Sequence, residues 1–379
     1  MHIAHVTSFF TAPPLGPSSA VRSRGLAYRA AGHEFTVVVP GKEASVAWAE
    51  YGTVITVPAR GRSLSRGFVP IAKAIRHALE KLVPDHIEVA DRLSAREIGS
   101  WAQQHRIPAI YVVDPSSKAA PSIHDLVGYD RVVSVAPIAQ GLVRPENTPD
   151  SVQDAGDSAR AANAAAVSAT ASDDELIHAP AGVNLEVFSP LRHNSTLRDS
   201  SDADIILLCA TPLTAAGIPA LAVDVVKRLV AAGESVQLVI LGDGPLMGRL
   251  ERSTIELPVQ FLSARDLELA ERAEVFATAD ITLVTVGSHD GHAVALESLA
   301  SGTPVVATSA CSPSLLFVDG GGLSVEPDLT HIEHALRIIQ GEPVENRRNA
   351  ARATALPYDS AESERTLLAL HESLRHEGE

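Results

Sequence analysis

The residues best suited to chemistry gather in the second half of the chain. His289-Asp290-Gly291-His292 sets two histidines and a carboxylate within four residues, a group that can ligate zinc. No third or fourth distant ligand is identifiable, so the same residues also read as a polar loop. Glu297 is the one acid in Leu296-Glu297-Ser298-Leu299-Ala300-Ser301-Gly302-Thr303-Pro304-Val305-Val306. Gly242-Asp243-Gly244-Pro245 ends an apolar run, and Asp243 reads there as a turn-former rather than a catalytic acid. Near the start, Phe9 to Ser19 forms a loop with one useful glycine, Gly16. It is neither a G-x-G-x-x-G fingerprint nor a P-loop, which leaves NAD and ATP readings with little support. There is no G-x-S-x-G elbow and no Ser-His-Asp set. Cys209 and Cys311 each sit in an apolar stretch, which excludes a disulfide framework and a cysteine zinc site and reads as two small core residues.

Elements that could position these residues alternate along the whole chain. Apolar, β-branched runs at Ile3–Thr7, Phe35–Val39, Val54–Val57, Ile87–Ala90, Ala109–Val113, Arg131–Val135 and Leu176–Ala179 predict one set of strands. Ile205–Ala210, Val236–Leu241, Val259–Leu262, Ile281–Thr285, Val305–Thr308 and Leu323–Val325 predict a second. Continuous runs separated by helical stretches imply parallel strands covered on both faces, hence an α/β chain of two doubly wound domains. At 379 residues and 45% hydrophobic the chain has length and apolar material for two cores. A polar connector, Arg192 to Asp204, marks the boundary. The expected organisation is residues 1–190, residues 191–357, and a tail at 358–379 that Leu367, Leu370 and Leu374 make an amphipathic helix. The order of 147–174, rich in Ala, Ser and Asp, is left open.

Charge narrows the function classes. With 31 Lys+Arg against 46 Asp+Glu the formal charge is −15, which argues against nucleic acid as a partner. Against that background Arg60, Arg62, Arg66, Lys73, Arg76 and Lys81 stand with the single acid Glu80 and an interleaved apolar series. Such a segment either lies on anionic lipid headgroups or is a surface helix whose apolar stripe faces the sheet. No basic-then-apolar leader opens the chain, and no uncharged run approaches the roughly 20 residues that span a bilayer. The expectation is a soluble, cytoplasmic protein.

Four segments carry a resemblance when taken in order: Ala31-Gly32-His33-Glu34 before an apolar strand, Gly182-Val183-Asn184 with Phe188 and Pro190, Gly242-Asp243-Gly244-Pro245, and Leu296 to Val306. Together they resemble family 4 retaining glycosyltransferases of the GT-B fold, over essentially the whole chain. Asp91-Arg92-Leu93 with Gly99, Trp101 and Ala102 resembles more particularly the actinobacterial mannosyltransferases that decorate phosphatidylinositol. The resemblance implies two Rossmann-like domains facing a cleft, with a sugar nucleotide such as GDP-mannose on the second and a lipid or glycolipid acceptor on the first. It implies no metal and no other cofactor. By it, Glu297 is the second carboxylate of E-x7-E and contacts the ribose, and Gly291-His292-Ala293 offer backbone N–H groups to the diphosphate. Gly242 and Gly244 belong to the donor site, and Gly16 lets the first loop approach the phosphates or the acceptor. The tail helix crosses back to the first domain, and the basic stretch faces a membrane, which would place the protein peripherally on the inner face of the plasma membrane.

The chain also departs from that family. An Arg and a Lys normally grip the diphosphate after the first strand of the second domain; their positions here are Thr211 and Ala216. The first glutamate of E-x7-E falls at His289, and a family histidine near the transferred sugar falls at Asp114. Two readings follow. One is a hexosyltransferase, mannosyl by the closer resemblance, with an atypical donor site in which Asp114 and His289 take the catalytic positions. The other is an inactive GT-B homologue that serves as partner, regulator or scaffold of cell-envelope glycosylation or transport.

Overall fold

The computed structural model describes residues 1–7, 19–60, 71–113, 123–135, 176–179, 182–215, 217–264, 266–285, 289–308 and 321–378. The first series of apolar runs builds one sheet. In chain order its elements are β1 (His2–Val6), α1 (Ser19–Ala30), β2 (Glu34–Gly41), β3 (Ser45–Ala49), β4 (Gly52–Pro58), α2 (Ala72–Leu82), β5 (His86–Val89), α3 (Arg92–His105), β6 (Ala109–Val113), β7 (Arg131–Ser134) and β8 (Leu176–His178). Their order across the sheet is β3-β4-β2-β1-β5-β6-β7-β8. Every pairing is parallel except β3 with β4, where Ser45 faces Thr56 and Ala49 faces Gly52. The apolar-run criterion does not mark β3, because an edge strand with four exposed residues of five needs no such run.

The second series builds another parallel sheet. A short helix α4 (Ser195–Asp199) leads into β9 (Ile205–Ala210), α5 (Pro219–Ala231), β10 (Val236–Leu241), α6 (Met247–Ser253), β11 (Val259–Leu262), α7 (Leu269–Thr278), β12 (Ile281–Val284), α8 (His289–Ala300), β13 (Val305–Thr308), β14 (Gly322–Val325), α9 (Leu329–Gly341) and α10 (Val344–Ala355). The order is β11-β10-β9-β12-β13-β14. The connector expected to be merely polar is partly folded: Asn194 caps α4 by accepting from Leu197 N–H at 3.0 Å and donates to Glu274 on α7 at 2.8 Å.

Each sheet reverses direction of winding at one point. β1 lies between β2 and β5, and β9 between β10 and β12. Beyond the carboxyl ends of such strands lie the crevices in which open α/β sheets bind ligands.

The last helix, α11 (Ser360–Gly378), joins the first domain. Its Leu367 and Leu374 are buried in one cluster with Ile3, Tyr28 and Phe35. The chain therefore crosses between domains twice, and the crossings run side by side. Val183 N–H donates to Tyr358 O at 2.8 Å, and Ser360 N–H to Val183 O at 3.0 Å. A Cβ on Gly182 would stand 2.1 Å from Tyr358 O, so only glycine allows this approach. The Gly-Val-Asn segment thus lies at the crossing between the domains, packed against the returning chain. Among the described residues, no helix is long and apolar enough to cross a membrane.

Candidate functional site

In the second domain the crevice floor is the loop after β9. Thr211 is 3% exposed, and its Oγ1 donates to Gly217 O at 2.9 Å, where Thr285 Oγ1 donates as well at 2.8 Å. Leu213 N–H donates to Asp243 O, and Leu246 N–H to Leu213 O. These bonds close the β9 loop onto Gly242-Asp243-Gly244. A Cβ at Gly242 would lie 2.0 Å from Thr211 O, and one at Gly244, which has φ 154°, would lie 2.4 Å from Leu213 O. Both glycines therefore serve loop-to-loop packing beside the crevice. Ala216 lies outside the described residues.

The wall of the crevice is α8. Gly291, His292 and Ala293, expected as a loop, lie in its first turns. A helix leaves only its first few N–H groups without an intrahelical partner. With His289 first, Gly291 still offers one, whereas His292 and Ala293 donate within the helix. The side chains of His289 and Asp290 lie outside the described residues, as do Asp114 and Gly16. Among the described residues no group of three metal-ligating side chains occurs. α8 ends in a left-handed Gly302, φ 73°, whose N–H donates to Leu299 O. Beneath it, Ser298 Oγ donates to Thr303 O and Thr303 Oγ1 to Phe276 O. The Ser-Gly-Thr-Pro segment is thereby a structural stop that fixes the helix carrying Glu297.

Glu297 is 2% exposed. Its Oε2 accepts from Arg272 Nε at 3.0 Å and Nη2 at 2.7 Å, while Oε1 is buried with no hydrogen-bond partner. Arg22 of α1 approaches the same group from the first domain, with its guanidinium carbon 5.9 Å from the centre of the Tyr51 ring. Burial, and then the charge of Arg272, pull the Arg22 guanidinium below its ordinary range. Next to it Glu50, at the tip of the β3–β4 hairpin, accepts from Leu269 N–H at the start of α7 at 3.4 Å. The charge of Glu50, and then burial, push Glu268 up. The two domains meet at this cluster.

A second charged cluster lies under the crevice of the first domain. Glu88 of β5, 0% exposed, accepts on Oε2 from Arg24 Nη1 at 3.0 Å and pairs there with His5 Nδ1 at 2.8 Å. Its Oε1 accepts from Tyr28 Oη at 2.6 Å and pairs with His371 Nε2 of α11 at 2.9 Å. Burial alone would push this carboxyl up. The Arg24 charge and the hydrogen bonds from His371 and His5 outweigh it, holding the group well below the ordinary carboxylate range. Asp91, three residues after Glu88 in the chain, is the N-cap of α3 and accepts from Ser94 N–H at 2.9 Å. In Asp91-Arg92-Leu93 the acid thus has a capping role.

The basic stretch divides. Arg62 and Arg66 lie outside the described residues, while Arg60, Lys73 and Lys81 are exposed. Arg76 pairs with Glu80 and Glu97. Ile75 and Leu79 are buried, so the apolar stripe of α2 packs on the sheet. Among the sequence-derived residues, Thr211, Gly242 and Gly244 pack together at the loop after β9, and Gly291 and Glu297 lie on α8. Arg22, Arg272, Arg24 and His371 had no signal in spacing, since each meets its partners from a distant helix. Glu88 had one: an acid inside the apolar run Ile87-Glu88-Val89.

Three comparisons bear on the arrangement. Residues 205–340 match the family described as glycosyl transferases group 1. Over 373 residues, 94% of this chain and 92% of the relative, the chain is 29% identical to the GDP-mannose-dependent alpha-(1-6)-phosphatidylinositol dimannoside mannosyltransferase of Mycobacterium tuberculosis. Among solved structures it superposes on sucrose-phosphate synthase from Thermosynechococcus elongatus with a TM-score of 0.67, 16% identity and 99% of each chain covered. On Anabaena HepE in complex with UDP and glucose the TM-score is 0.64, with 15% identity and 98% and 99% covered.

Proposed function

We propose that this chain is a glycosyltransferase of the GT-B fold and transfers a hexosyl group from a nucleoside-diphosphate sugar to a glycolipid. By its mycobacterial relative's chemistry the group is mannosyl, the donor GDP-mannose and the acceptor a phosphatidylinositol mannoside. The observation that carries this reading is Glu297: a carboxylate buried beside the domain junction with one oxygen engaged and the other open. An open buried acceptor is costly unless a donor joins it, and a ribose hydroxyl is such a donor. The reading calls for no resident metal or cofactor, with the sugar nucleotide as substrate. Incubation with GDP-mannose and phosphatidylinositol dimannoside is expected to yield the next mannoside, with UDP-glucose giving none. Absence of product, together with no calorimetric heat from GDP or UDP up to millimolar concentration, would sink it.

One observation favours a second reading. Thr211, where the family places its clamp arginine, is closed onto Gly217 O and supplies no cation. A non-catalytic homologue would need none there. It would co-purify with a cell-envelope glycosylation or transport protein, and robust sugar transfer by the isolated chain would refute it.

A lipid acceptor needs a membrane-facing surface, and we assign it to the α2 side of the first sheet. Val46 pairs with Ile55, which packs on the cluster holding Ile75 and Leu79. Val46 and Trp48, 61% and 84% exposed, thus point to the side where Lys73 and Lys81 are exposed. Co-sedimentation with phosphatidylinositol vesicles is expected to weaken about fivefold for each of Lys73→Gln and Lys81→Gln. Equal binding to phosphatidylcholine vesicles would overturn the assignment.

A further inference from the structure

The cation pair expected at 211 and 216 is missing, yet two guanidinium groups meet at the domain junction. Arg272 donates from Nε and Nη2 to one oxygen of Glu297. Arg22 enters from α1 of the other domain, within electrostatic reach of both Arg272 and Glu297. Its Nε is buried and has no hydrogen-bond partner, and Glu297 Oε1 is buried and has none either. Two like charges thus stand within electrostatic reach of one carboxylate that is bonded only to Arg272, and a buried donor on Arg22 and a buried acceptor on Glu297 are each without a partner. Uncompensated groups of this kind are costly where water is excluded. An anion that also carries hydroxyl groups answers both: its oxygens take the arginine N–H groups, and a hydroxyl donates to Glu297 Oε1.

We propose that Arg22 and Arg272, one from each domain, form the seat for the donor's diphosphate in place of the pair that Thr211 and Ala216 do not supply. The proposal rests on the reading that the chain binds a nucleoside-diphosphate sugar. Placement agrees with it. Glu297 follows Gly291 by six residues on α8, about 9 Å of helix rise. A nucleotide whose ribose rests on Glu297 then lays its phosphates between the arginines and the first turn of α8. Guanidinium groups suit this task because their planar fork matches phosphate oxygens. Since Arg22 belongs to the first domain and Arg272 to the second, the seat is built from both domains.

Calorimetric titration of wild type, Arg22→Gln and Arg272→Gln with GDP, guanosine and inorganic pyrophosphate tests the seat, with melting curves taken alongside. Each variant is expected to lose about 10–100-fold in affinity for GDP and for pyrophosphate, with guanosine unaffected. Arg22→Lys keeps the charge but not the fork, and is expected to fall about tenfold short of wild type for GDP. It keeps the seat testable if glutamine is not tolerated. Undiminished GDP affinity in the Arg22 and Arg272 variants overturns the seat and leaves the donor reading standing. No heat from GDP or pyrophosphate with wild type overturns both. Pyrophosphate binding without GDP binding sinks the donor reading and, with it, the seat as a place for the donor's diphosphate.

Discussion

Replacing Glu88 by glutamine is expected to cost about 3–5 kcal/mol of stability, the usual penalty for breaking a buried charge pair. Glu88 is the centre of five side chains from four elements: Arg24 and Tyr28 on α1, His5 on β1, and His371 on α11, and all of these are buried. Glutamine offers one acceptor oxygen where the carboxylate serves four partners. Its amide also turns a donor toward donors, and Arg24 loses its bonded counter-ion, keeping only the weaker influence of Glu364. The variant should melt the first domain selectively and free α11 early, since His371 is a polar tie between that helix and the first sheet. Urea unfolding followed by hydrogen exchange in α11 reads both effects. Replacing Arg24 and Glu88 together with apolar residues of similar volume should recover only part of the loss, because the buried charges go but Tyr28, His5 and His371 still lose their shared acceptor. A loss below about 1 kcal/mol in Glu88→Gln would show that the network is solvated.

The same carboxyl sets a pH signature. Its folded value is held well below the ordinary range, so its contribution is fully present above the unfolded carboxyl value of about 4.3 and is lost as pH falls toward the folded value. The gap between wild type and Glu88→Gln should therefore narrow as pH falls below about 4.3. The network's other anchor behaves consistently. Burial, followed by the Glu88 charge, pushes the Tyr28 phenol well up, so it remains a donor throughout.

The strands located most closely from the sequence are ones that are buried along most of their length. Continuous runs such as Ile205–Ala210 and Val236–Leu241 coincide with β9 and β10 to the residue. β3 escaped because its side chains face water and carry no run to detect. Glycines told position but not purpose: Gly242 and Gly244 do stand at the crevice, though there they admit a neighbouring backbone. Glu297 was legible through the ordered motif around it. Its partners were not, because Arg22 and Arg272 come from two helices of different domains, and no local spacing encodes a contact across a cleft. The basic segment was legible as charge, while the direction of its apolar stripe depended on which face of α2 met the sheet.

Glu297→Gln separates a ribose-binding role from a merely structural one. The amide oxygen can still accept from Arg272 Nε and Nη2, which keeps Arg272 in place. The amide nitrogen then stands where Oε1 was, and it cannot accept a bond from a hydroxyl. One charge-assisted hydrogen bond is lost, worth about 1.5–3 kcal/mol, so the KM for the sugar nucleotide is expected to rise about 10–150-fold. Removing the negative charge acts oppositely on the phosphates, because Arg22 and Arg272 lose the carboxylate that partly neutralises them. Pyrophosphate affinity should therefore hold or increase while GDP affinity falls. Dideoxy-GDP closes the cycle: lacking the ribose hydroxyls, it should bind wild type and Glu297→Gln alike, apart from the small electrostatic gain at the phosphates. If GDP and pyrophosphate weaken in parallel, Glu297 acts only by holding Arg272. If neither changes, the open oxygen faces no ligand at all.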